Sequence, residues 1–145
     1  MKYCWMTLLL GSALCGCNSS SAGPPQLEAF PVKGVVTLDG KPLPGAEVVF
    51  MTGEPPTICA GRTNDDGSYE LHGLAGRDGA LQGACKVTIS RRVKPDGTPL
   101  GPDEAPANVG AAEQLPPKYS RYDASTLSAN VPADGGTFDF ALTSN

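Results

Sequence analysis

Apolar side chains recur at every second position in short runs along this chain, and each run is cut off by Gly, Pro, Asn or Asp. Cys85, Val87 and Ile89 alternate with Lys86, Thr88 and Ser90, and Ala46, Val48 and Phe50 enclose Glu47. Tyr69 and Leu71 are set off by Ser68, Glu70 and His72, and Phe138, Phe140 and Leu142 by Thr137, Asp139 and Ala141. A period of two puts one set of side chains on one face of an extended strand. Past the leader no segment sustains a helical period. With 18 Gly and 14 Pro in 145 residues, against ordinary usage of about 7 % and 5 %, turns are frequent. The expected class is all-β: one domain, a seven-stranded antiparallel β-sandwich of Greek-key type.

The punctuation predicts the connections. Asp39-Gly40-Lys41-Pro42, Asn64-Asp65-Asp66-Gly67 and Pro132-Ala133-Asp134-Gly135-Gly136 carry residues that accept left-handed backbone angles or bond their own main chain. They are expected to join Val32–Leu38 to Ala46–Phe50, Ile58–Thr63 to Ser68–His72, and Leu127–Val131 to Phe138–Leu142 as hairpins. Residues 93–117 hold six Pro and three Gly. That composition points to a disordered stretch, used as a lid or an insertion.

Met1-Lys2 precedes an apolar run from Tyr3 to Leu14, too short to cross a bilayer as a helix and suited to a secretory leader. Leu14-Cys15-Gly16-Cys17 resembles a bacterial lipobox. On that reading residues 1–16 are the signal peptide, Cys17 is acylated and residues 17–29, rich in Ser, Gly and Pro, are a flexible tether. Several acyl chains on Cys17 would hold the protein on a membrane where one would not. Asn18 carries no Asp-type retention signal, so in a two-membrane cell the outer membrane is favoured. The alternative is an ordinary signal peptide that leaves Cys17 as a thiol. Export would also permit Cys59 and Cys85 to pair, closing a loop of about 26 residues worth roughly 3–4 kcal/mol; otherwise they are two buried thiols acting as small apolar residues.

Pro31-Val32-Lys33-Gly34-Val35-Val36-Thr37-Leu38-Asp39-Gly40-Lys41-Pro42-Leu43-Pro44-Gly45-Ala46-Glu47-Val48, Thr63-Asn64-Asp65-Asp66-Gly67-Ser68-Tyr69-Glu70-Leu71 and Gly83-Ala84-Cys85-Lys86-Val87-Thr88-Ile89 resemble the carboxypeptidase regulatory-like domain. The resemblance covers about residues 30–143 and implies a transthyretin-like (prealbumin-like) sandwich. It implies scaffolding, presentation or binding and brings no catalytic residues. Cys85 stands where that family more often has an aromatic residue, which favours the Cys59–Cys85 pairing.

The chemistry legible in the side chains is sparse. The chain has 11 basic and 15 acidic residues, and phosphate binding needs clustered Lys and Arg, so no nucleic-acid partner is expected. Arg91 and Arg92 read as a solvated strand end. One His and two Cys in the expected domain fall short of a zinc ligand set, and His72 reads as solvated or hydrogen-bonded. Aligning Gly67 with the sixth position of a calcium loop puts Arg62 first and Gly73 twelfth, neither a side-chain oxygen ligand. Tyr119 and Tyr122 cannot by themselves hold iron; Tyr119 is expected to pack and anchor the return of the 93–117 loop. No cofactor and no metal is expected. The functional expectation is a non-catalytic, lipid-anchored cell-envelope module meeting the membrane through Cys17 and an envelope protein or glycan through its domain. The alternative is a glycan- or peptide-binding module that uses the 93–117 loop with Tyr119 and Tyr122.

Overall fold

The computed structural model describes residues 28–73 and 78–145. The expected signal peptide, Cys17 and all but the last two residues of the 17–29 tether lie outside the described residues. In chain order the elements are β1 (Ala29–Phe30), β2 (Val32–Leu38), β3 (Lys41–Pro42), β4 (Glu47–Thr52), β5 (Thr57–Arg62), β6 (Ser68–Glu70), β7 (His72–Gly73), β8 (Ala80–Leu81), β9 (Gly83–Ser90) and β10 (Arg92–Val93). They continue with α1 (Pro106–Val109), β11 (Ala112–Glu113), α2 (Pro117–Ser120), β12 (Leu127–Val131), β13 (Gly136–Thr137) and β14 (Phe140–Leu142). Among the described residues there are fourteen strands where seven are expected, because two expected runs are each split, at Leu71 and at Phe138-Asp139, and several two-residue ladders are added.

The larger sheet has the order β12-β9-β4-β5-β7 and is antiparallel at every junction. The second is built around β2, which takes β3 and β6 antiparallel and β13 and β14 parallel. The expectation of antiparallel pairing therefore holds for the first sheet and fails at one side of β2. Parallel neighbours need a long connection, and the whole chain between β2 and β13 provides it.

Alternation decides the core as the sequence suggests. Ala46, Val48 and Phe50 of β4 and its approach meet Cys59, Cys85, Val87 and Ile89 on one layer, and Val32, Val36, Tyr69, Phe140 and Leu142 close over them from the other. Phe50 stands edge-on to Phe138 and Phe140, with ring centroids 5.9 and 6.2 Å away, so the aromatic contact ties the two layers together.

None of the three expected hairpins joins its two runs as sheet neighbours throughout. Asp39 and Gly40, both with positive φ of 50° and 79°, make the two-residue turn that such angles favour, but it returns only β3 onto β2. The chain then buries Leu43 and crosses to β4 in the other sheet. Thr63 fixes that crossing: its hydroxyl donates to the Leu43 carbonyl at 2.6 Å and accepts the Ala46 N–H at 2.8 Å. After the Asn64–Gly67 turn, β6 joins β2 and only β7 rejoins β5. The Pro132–Gly136 turn likewise carries β12 in one sheet to β13 in the other. Inward-facing apolar sets are common to two strands side by side and to two strands facing across a core, so alternation alone does not separate these cases.

Two glycines sit where backbones approach closely, Gly34 within the second sheet and Gly61 between the layers. A Cβ on Gly34 would lie 1.9 Å from the Phe138 carbonyl oxygen, and one on Gly61 would lie 2.1 Å from that of Glu70. Any side chain there would force strands apart.

The composition of 93–117 points to disorder; the structure instead gives the segment defined contacts. β10 pairs with β11, Leu100 and Leu115 are buried, and Lys94 bridges to Glu104 at 2.7 Å. The other Glu104 oxygen accepts the Gly101 N–H at 2.7 Å, and the Arg62 guanidinium donates to the Leu100 carbonyl. Arg91 is no solvated strand end. Burial pushes its guanidinium pKa below the usual value, its Nε donates to the Pro44 carbonyl at 2.8 Å, and its backbone N–H reaches the Glu113 carboxylate at 2.9 Å.

Candidate functional site

The strand period that sends Val32 and Val36 inward sends Lys33 and Val35 to the outer face of the second sheet. Register places Lys33 opposite Glu70 on β6 and opposite Thr137 on β13, so a cation lies between a carboxylate and a hydroxyl across three strands. Gly34 contributes no side chain beside them. Over this face runs an open groove of about 550 Å³ bordered by Lys33, Val35, Arg62, Asn64, Glu70 and His72. A second of about 510 Å³ shares Lys33, Glu70, His72 and Thr137 and adds Asp78 and Asp134.

The groove is held in place from below and from its ends. Tyr69 lies under it, and its phenol donates to the Phe138 carbonyl at 2.7 Å. Burial, with the Asp139 carboxylate adding to it, pushes that phenol well above its usual pKa. Asp139 itself accepts the Val35 N–H at 2.9 Å. His72 shares a 2.7 Å hydrogen bond with Asp78. In the Asn64–Gly67 turn, Asp66 accepts the Ser68 hydroxyl and N–H, and these bonds hold its carboxyl below the usual range. The turn reading of that motif accounts for these bonds. Lys33, Arg62, Glu70, Asp78 and Asp134 place both signs of charge side by side, so the groove lacks the clustered cations that phosphate binding needs. Among the described residues no group of three His, Cys, Asp or Glu side chains gathers as a metal would require, and no helix is long and apolar enough to cross a membrane.

The aromatic pair expected to contact ligand is not brought to one surface. Tyr119 is buried in α2, where its hydroxyl is 3.3 Å from the Thr143 hydroxyl and accepts the Thr143 N–H at 3.3 Å. The ring packs in the core cluster. Tyr122 is 55 % exposed, with the Lys86 ammonium 4.5 Å above its ring, and neither tyrosine borders the groove.

Cys59 and Cys85 are free thiols, both buried. They sit on β5 and β9, with β4 between. Two inter-strand spacings put the backbones about 10 Å apart, beyond the roughly 7 Å limit for a bridge, so the pairing is corrected to two separate thiols. The Cys85 sulfur lies 2.7 Å from the Thr52 hydroxyl. Burial pushes the Cys59 thiol up.

Lys33, Arg62 and Glu70 escape a reading of the sequence as site residues. Alternation marks them as outward, but their neighbourhood depends on β6 leaving β5 to pair with β2, and no local signal announces that. No protein family, curated protein or solved structure matches the chain.

Proposed function

We propose that this protein is a lipid-anchored, non-catalytic module of the cell envelope, a transthyretin-like Greek-key sandwich of the carboxypeptidase regulatory-like kind, acting as a structural or interaction element. The observation that carries the reading is the order of segments. An apolar run ends in Leu14-Cys15-Gly16-Cys17, a Ser- and Pro-rich stretch follows, and the β domain begins at Ala29. Its mechanism is positional: acylated Cys17 fixes the chain to a membrane, the outer one in a two-membrane cell, and the stretch up to Ala29 sets how far the domain reaches. The two closed layers and the satisfied loop hydrogen bonds support a rigid body on that tether.

A second reading, a peptide- or glycan-binding module, is favoured by the mixed-charge groove over Lys33 and Glu70 rather than by the two tyrosines. The first test is intact mass and membrane partition of the wild type beside Cys17→Ala in a bacterial host. Acyl mass on the wild type with release of the variant as soluble protein supports the anchor; an unacylated, soluble wild type removes it.

A further inference from the structure

We propose that the free edge of β12 is a self-association surface, through which two copies of this chain pair antiparallel and continue the larger sheet from one copy into the other. β12 is the terminal strand of that sheet, bonded to β9 on one side only. Alternate N–H and C=O groups on its other side have no backbone partner among the described residues. Sheet edges are ordinarily blunted by charge, Pro, bulges or brevity. The other edge strands among the described residues are short or carry charge or Pro, β6 being three residues that end in Glu70. β7 has two residues, β3 is Lys41-Pro42, and the β13–β14 side is broken at Phe138-Asp139, where a side chain takes the Val35 N–H. β12 is Leu127-Ser128-Ala129-Asn130-Val131, the longest of these edges and without charge or Pro.

The occupant is a second copy because the strand matches itself. A two-fold axis through Ala129 sets Leu127 against Val131 of the second copy on the core-side face, and Ser128 against Asn130 on the outer face. Apolar meets apolar, polar meets polar, and no like charges oppose each other. Pro132 stops the ladder after five residues, so the contact is small and the dimer reversible. The inference does not depend on the lipid anchor.

The test is sedimentation of the soluble Cys17→Ala protein in reducing buffer over a range of concentrations, expected to give a reversible monomer–dimer equilibrium. Ser128 and Asn130 are both exposed; a Lys at 128 faces Lys86 across the β12–β9 ladder, a cost that both charge variants below share, and circular dichroism checks that each is folded. Ser128→Lys with Asn130→Lys sets like charges opposite across the axis and is expected to weaken association about tenfold or more. Ser128→Lys with Asn130→Glu sets opposite charges in the same register and is expected to restore it. The proposal is overturned by a parent protein that stays monomeric throughout, by a Lys/Lys variant that associates like its parent, or by a Lys/Glu variant no better than Lys/Lys.

Discussion

Replacing Tyr69 by Phe tests a tie inside the second sheet, between β6 and the β13–β14 segment on the two sides of β2. The side chain is 1 % exposed, its ring lies 6.5 Å from that of Phe140, and the phenol donates to the Phe138 carbonyl at 2.7 Å. Tyr69→Phe keeps the ring and the packing but strips the carbonyl of its donor. The net worth of such a bond, with part of the desolvation penalty of the abandoned acceptor, is about 1–2 kcal/mol, or roughly 4–8 °C in Tm for a domain of this size. The pH dependence adds a second, independent mark. Burial, then Asp139, raises the folded phenol pKa above its unfolded value near 10. A raised pKa means the stabilisation is complete below about pH 10 and is lost as pH climbs further, at up to about 1.4 kcal/mol per unit. The variant has no such group, so its deficit at pH 7 should shrink steadily above pH 10. Urea unfolding of both proteins, followed by circular dichroism from pH 7 to 11, measures both effects. A deficit below about 0.5 kcal/mol at pH 7, or a gap that stays constant between pH 9 and 11, would refute the argument.

Thr63→Val should cost about 2 kcal/mol, because it abandons the Ala46 N–H and the Leu43 carbonyl that the hydroxyl joins in the core; Thr63→Ser should recover most of it, and equal melting temperatures for the two variants would count against the clamp. Cys59 and Cys85 should resist alkylation in the folded protein and both react once it is unfolded without reductant. A disulfide-linked peptide containing both, found by mass spectrometry, would contradict the placement of β4 between β5 and β9.

Much of the core was legible because strand alternation is a local property. Ala46, Val48 and Phe50, and likewise Cys85, Val87 and Ile89, are inside as their spacing requires. Sheet membership was not legible, because it is decided by partners far away in the chain. The Pro132–Gly136 turn looks the same whether Phe140 lies beside Val131 or across the core from it. The 93–117 segment shows another limit. Its Pro and Gly content hides Leu100 and Leu115, two apolar anchors too widely spaced to form a period, and the Arg62 and Arg91 donors that hold the loop's carbonyls and carboxylates lie outside it. For the candidate site, polarity at Lys33 and Glu70 was visible while their adjacency was not. Tyr119 lies in the core cluster with its hydroxyl against Thr143, while Tyr122 is exposed.

The parallel docking of β14 on β2 governs how the domain acquires its shape. Val35 and Asp139, 104 positions apart, must meet before the central strand of the second sheet has neighbours on both sides. Contacts of such long sequence separation carry a large loop-closure cost and make folding slow. A nascent chain that has presented β2 but not β14 is a half-zipped sheet with a vacant flank. The first sheet is complete by Val131, whereas the second closes only when residues 136–142 arrive to cover the far flank of β2.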